Sequence, residues 1–217
     1  MYDQFEEFRA DALECGPLYY ADGSLEDEKL EAAFRIFQKS RDGTRLADFD
    51  GNPLYFGITI VGRLARRESD GSWKSADEDF PSIDEIMRDN LRIMDDTNED
   101  AGSILDTKLW SLLANDAWLL GGIHAQTEFH FASPLHWENL WDSDFDRLTV
   151  TGREVVGIVA SGYAIDRPFA GMEAIAQCVN QEKAATLSLI DYKEAVKSCE
   201  TRKGFEAFYN DIPEAAR

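Results

Sequence analysis

A chain of 217 residues with 44% hydrophobic and 12% aromatic content is long enough to bury a core and is not the composition of a disordered protein. It carries 42 acidic against 22 basic side chains, a net −20, which repels nucleic acid and anionic membrane surfaces and attracts basic partners. No apolar run reaches the roughly 18 residues of a membrane span, and no basic-then-apolar signal pattern opens the chain. Three cysteines (Cys15, Cys178 and Cys199) without metal-type spacing fit reduced thiols in a cytoplasmic protein, and no cofactor is expected.

The charge is uneven. Residues 1–31 hold ten acids and two bases, and residues 68–106 hold thirteen acids and three bases. These two stretches carry −8 and −10, whereas the segment between them, 32–67, is net +4. Solubility alone accounts for such a surplus in many proteins, so charge argues here about association and not about fold.

In chain order, the first helix is expected over about Asp3–Leu13, with Phe5, Phe8 and Leu13 on its apolar face and Cys15-Gly16-Pro17 as its end. Ser24 opens a second helix with the stripe Leu30, Ala33, Phe34 and Phe37, stopped by Asp42-Gly43. Thr44–Phe49 reads as a strand and Asp50-Gly51-Asn52-Pro53 as a turn. Leu54–Arg66, rich in β-branched and aromatic residues, reads as one long strand, and Asp70-Gly71 turns into a third near Trp73. Together these predict a three-stranded antiparallel meander, with Arg63, Arg66 and Arg67 neutralising nearby acids.

Ser75–Phe80 is a polar loop, and Pro81-Ser82 starts a helix with Ile83, Ile86, Met87, Leu91 and Met94 inward. Asp95–Asp100 is a charged linker, and 96–102 is the one candidate domain boundary in an otherwise single domain of 1–217. Ser103, with Asp106 three residues on, caps a strong helix through Leu105, Leu109, Leu112, Leu113, Leu119 and Leu120, and Gly121-Gly122 is its expected stop. A short strand, Gln126–Phe131, follows, then a short helix over Pro134–Trp141 and a brief strand at Leu148–Thr151.

The stretch Thr151–Gly162 has β-branched residues but also a Thr151/Glu154 capping pair and a terminal glycine, and helix is the better reading. Helices are expected at Met172–Val179, Glu182–Cys199 and Phe205–Tyr209. The fold class is α+β: a helix-rich single domain with a small antiparallel β-meander.

Familiar phosphate-binding, zinc-protease, thiol-redox and serine-hydrolase motifs are absent. The three histidines, His124, His130 and His136, fall within thirteen residues and invite a metal site, but their spacing places no two on one helix turn or knuckle. Strand alternation puts Glu128 beside His130, a conceivable acid–base pair, although a solvated strand face is the better reading of both. Asp116 interrupts the apolar stripe of its helix. A buried carboxylate there needs a partner such as an arginine, and that structural role outweighs a catalytic one with Glu128 and His130. Trp137 and Trp141, four residues apart, share one helical face, for which burial is the plainer reading than a docking surface on another chain.

Composition therefore points first to an acidic protein that binds and neutralises a basic protein partner, immunity-protein-like or DNA-mimic-like in charge alone. Asp77, Glu78, Asp79, Asp95, Asp96, Glu99 and Asp100 are its expected contacts. An enzyme using Glu128 and His130, or a regulatory subunit docking through its tryptophans, are the alternatives.

Overall fold

The computed structural model describes residues 2–20, 23–41, 46–47, 53–56, 64–67, 73–75, 111–126, 129–131, 135–165 and 174–214. It is a helix-rich α+β fold with an antiparallel meander. The helix expected after Pro81, the charged linker with its 96–102 boundary, the Asp42-Gly43 stop, the Ser103 cap and Glu128 lie outside the described residues.

Helix α1 (Phe5–Glu14) starts with Glu6 and Glu7, acids suited to the positive helix end, and buries Phe8 and Ala12. Helix α2 (Asp27–Arg41) begins on Asp27 and Glu28 and buries the expected stripe of Leu30, Ala33, Phe34 and Phe37. The rings of Phe8, Phe34, Phe37 and Tyr2 meet at centroid distances of 5.4–6.5 Å and tie the two helices together. Tyr2 also reaches across the whole chain. Its hydroxyl donates to Asp11 and accepts from the Leu189 amide at 2.8 Å, while Arg41 donates to its carbonyl at 3.1 Å.

The meander has four strands and not three: β1 (Leu46–Ala47), β2 (Pro53–Phe56), β3 (Leu64–Arg67) and β4 (Trp73–Ser75), each antiparallel to the next. The run read as one long strand is two, paired to each other with Leu54 opposite Arg66 and Phe56 opposite Leu64. Gly57 and Gly62 interrupt that run in sequence, and glycine weakens a strand interior.

Helix α3 (Leu112–His124) is capped by Ser111, whose side chain accepts from the Ala114 amide. Gly121-Gly122 does not end it. The helix runs on to His124, and its exit is made by Ala125 and by Gln126 in the left-handed region at φ 56°. The glycines instead let α2 and α3 touch backbone to backbone. A Cβ at Gly121 would stand 2.4 Å from the Phe37 carbonyl oxygen and 2.7 Å from Ser40 Cβ. Ser40 Oγ donates to the Trp118 carbonyl at 2.6 Å beside them. Close packing has overridden the low helix propensity of glycine.

Strand β5 (Phe129–Phe131) follows, then the one-turn helix α4 (Trp137–Leu140) and a hairpin of β6 (Trp141–Asp142) and β7 (Arg147–Leu148). Trp141 is fully buried and stacks on Phe205 at 5.3 Å, with Trp137 against Phe205 at 4.8 Å and edge-on to Tyr209. Trp141 is thus part of the core, and the half-buried Trp137 packs against it. The ambiguous stretch is helix α5 (Val150–Ala160), capped by Thr149 and not Thr151, with Gly162 at φ 96° beyond its end. Here Glu154 is not half of a capping pair: it is buried.

Strand β8 (Tyr163–Ile165) pairs with β9 (Ala174–Cys178), which also pairs with β5, giving the order β5-β9-β8. The helix expected at Met172–Val179 is this central strand, where pairing on both edges outweighs a weak local preference. The helix expected from Glu182 to Cys199 is two: α6 (Gln181–Thr186) and α7 (Leu189–Ser198). They are separated at Ser188, which forms a capping box with Asp191. Helix α8 (Arg202–Asp211), capped by Thr201, is longer than expected.

Candidate functional site

Two features of the described residues carry charge in an arrangement worth chemical attention. One is an exposed acidic face at the N-terminus; the other is a buried polar cluster in the core.

The acidic face begins on α1. Glu6, Arg9 and Leu13 lie three to four residues apart and so share one side of the helix. Arg9 Nη2 reaches Asp27 Oδ1 at 3.8 Å, which carries that side onto the first turn of α2. Asp3, Glu6, Glu7, Glu14, Glu26, Asp27, Glu28 and Glu31 are all exposed, against only two bases in residues 1–31. Two large apolar groups of the same segment are exposed as well, Leu13 at 44% and Tyr20 at 70%. The acids expected as contacts, Asp77, Glu78, Asp79, Asp95, Asp96, Glu99 and Asp100, lie outside the described residues.

The buried cluster is built from four places in the chain. Asp116 on α3 is fully buried, and its Oδ2 accepts from Arg153 Nη2 on α5 at 2.6 Å and from the Tyr19 hydroxyl at 2.7 Å. The Tyr192 hydroxyl on α7 donates to the Arg153 carbonyl at 3.3 Å. Burial pushes the Asp116 carboxyl up, opposed by the Arg153 guanidinium and the hydroxyls of Tyr19 and Tyr192. Burial alone would lower Arg153, but Asp116 and the two phenols hold it protonated. One carboxylate oxygen taking both a guanidinium and a phenol proton is the geometry of an ion pair.

Beside this pair sits a second buried carboxyl, Glu154. Its Oε1 accepts from Asn115 Nδ2 at 2.8 Å, and burial pushes it up to about 8. Asp116 Oδ1, Arg153 Nε and Thr151 Oγ1 find no partner among the described residues. The irregularity that Asp116 made in its apolar stripe is therefore a structural ion pair, the partner that a buried carboxylate demands.

The three histidines lie in different elements: His124 ends α3, His130 is on β5 and His136 precedes α4. His124 Nε2 donates to the Leu187 carbonyl at 2.6 Å, its ring stands edge-on to Phe37, and burial lowers its basicity. His136 precedes α4, exposed, 3.6 Å from its neighbour Glu138. His130 lies on β5 opposite Ile175. No group of three or more histidine, cysteine or carboxylate side chains among the described residues is placed to hold a metal, and their cysteines are all free.

Sequence reasoning missed Arg153 and gave Glu154 a capping role. They follow Gly152 in α5, and two charged residues inside an otherwise apolar helix, VTGREVVGIVA, were the available signal. The chain matches no protein-family model, no curated protein and no solved structure.

Proposed function

We propose that this protein binds a basic partner protein and blocks it by charge complementarity. What supports the reading is the density of exposed carboxylates on α1 and the first turn of α2, two elements linked by the Arg9–Asp27 contact, with Leu13 and Tyr20 also exposed in this segment. Clustered like charge raises the rate of encounter with an oppositely charged surface, and exposed aromatic and aliphatic groups supply area that carboxylates cannot. The second acidic stretch, with Asp77, Glu78, Asp79, Asp95, Asp96, Glu99 and Asp100, adds to the same field in this reading. A cytoplasmic setting fits the free cysteines, and no helix of the described residues is long and apolar enough to cross a membrane.

Capture from a cell lysate, followed by titration of the purified captured protein at increasing salt, tests the proposal. The expected partner is basic, and its affinity falls steeply with salt and by tenfold or more on Glu6→Lys with Asp27→Lys. Recovery of no basic protein, or binding indifferent to salt and to that double reversal, refutes it.

A further inference from the structure

Two carboxyl groups and one guanidinium are buried together where α3 meets α5. Asp116 is fully buried and Glu154 is 7% exposed, and the two lie beside Arg153 and Asn115 in adjacent pairs on their helices. The guanidinium is committed to Asp116. Glu154 has the neutral amide of Asn115 as its hydrogen-bond partner, and no described cation lies within ion-pair distance of it. The groups around it from each packed element are Asn115 and Asp116 on α3, Arg153 on α5 itself, and Tyr192 on α7, with Tyr19 reaching the same Asp116 from the segment after α1. The charge count of this contact balances only when one of its two carboxyls is neutral, and Glu154 is the one without the arginine.

We propose that the α3–α5 contact is a proton-operated latch: Glu154 keeps its proton while the helices are packed, and losing it releases α5 from α3. An ionised Glu154 would set two carboxylates against one guanidinium in a contact largely shielded from water, and an unpaired buried charge is expelled sooner than tolerated. Gly157 lets α5 lie directly against α7, because a Cβ there would stand 2.0 Å from the Tyr192 ring. Any tilt of α5 toward α7 meets that ring, so the relief has to be outward. Burial places the release of the proton in mildly alkaline solution, near 8. The device stands apart from partner binding, since none of its groups lies on the acidic face.

The test uses the full chain, labelled with carbon-13, between pH 6 and pH 10. Two quantities are followed: the Glu154 side-chain carboxyl resonance, and hydrogen exchange of the Val155–Ile158 amides corrected for intrinsic base catalysis. The expected result is a carboxyl that is protonated at pH 6 and titrates between about pH 7 and 9, with corrected exchange rising at least tenfold over the same step. Glu154→Gln abolishes that rise. Asn115→Ala removes a donor that favours the ionised form and moves the step to higher pH. A Glu154 already ionised at pH 6 overturns the proposal, and so does a titration that exchange does not follow or an equal rise in Glu154→Gln. Should Glu154→Gln fail to fold, the wild-type titration and Asn115→Ala decide the matter alone.

Discussion

Neighbouring glycines in one helix offer a controlled test of the close approach between α2 and α3. In Gly121→Ala the new methyl meets the Phe37 carbonyl oxygen at 2.4 Å, Ser40 Cβ at 2.7 Å and the Arg41 amide nitrogen at 2.9 Å. Two of these are backbone atoms, held by the α2 hydrogen-bond ladder, and ordinary contact asks for roughly 1 Å more. Overpacking of this kind costs up to about 3 kcal/mol, against a gain of about 1 kcal/mol in helix propensity, for a net loss of about 2 kcal/mol. In Gly122→Ala the nearest atom is the far end of the Phe129 ring at 3.1 Å, which can swing aside, so the propensity gain survives and the change is neutral to slightly stabilising. Urea unfolding followed by circular dichroism measures both, and a thermal midpoint lower by ~4–8 °C is expected for Gly121→Ala alone. If the two variants unfold together, or if Gly121→Ala is the more stable, the backbone contact described for this helix pair is wrong.

The buried pair makes a sharper demand. Arg153→Met strands Asp116 without its cation and should cost about 3–5 kcal/mol in chemical denaturation, with Asp116→Leu added to it recovering part of the loss; a cost below about 1 kcal/mol would mean that the two groups are not paired. Glu154 gives stability a slope in pH. Its folded-state value is raised from 4.5 to about 8, so the folded chain keeps a proton that the unfolded chain releases. This contribution is full below pH 4.5 and is lost by roughly 1.4 kcal/mol per pH unit until about pH 8. Unfolding free energies at pH 5 and pH 7.5 should differ by less in Glu154→Gln than in the parent, and an unchanged difference refutes the assignment. Phe205→Ala, beneath Trp137 and Trp141, should cost about 3–5 kcal/mol and flatten the near-ultraviolet tryptophan signal; a mild loss with that signal intact would place the stack elsewhere.

What was legible in the sequence follows what local chemistry can specify. The stripe of α2 was readable because Leu30, Ala33, Phe34 and Phe37 recur at the helical period and are all buried, whereas on the face expected for α1 Phe8 is buried, Phe5 partly so, and Leu13 stands exposed. Helix α5 was readable through its end, where Gly162 adopts the left-handed conformation that glycine favours. Gly121-Gly122 was misread for the same chemistry: a glycine that ends a helix and one that admits a neighbouring backbone look alike until the neighbour is known. Residues 174–178 became a strand because β5 and β8 flank them, a fact that no local window contains. Asp116 was recognisable as a residue in need of a partner, and Arg153 as that partner was not, because 37 positions separate them. The acidic segment was legible as charge, but the link from α1 to α2 that the Arg9–Asp27 contact makes was not.

Tyr2 closes loops that span nearly the entire chain, through its hydroxyl to Leu189, while Cys15 Sγ donates to the Leu189 carbonyl at 3.6 Å. During synthesis, α1 emerges long before the segment that completes it. Until α7 has left the ribosome, the Tyr2 hydroxyl lacks its donor from Leu189 and the aromatic cluster of α1 and α2 lacks one of its walls. Long-range closure of this sort slows folding, because chain entropy is lost before the contacts that offset it form. The acidic face therefore exists as a chain of carboxylates well before it exists as a shaped surface, and the last third of the protein sets the moment at which it becomes one.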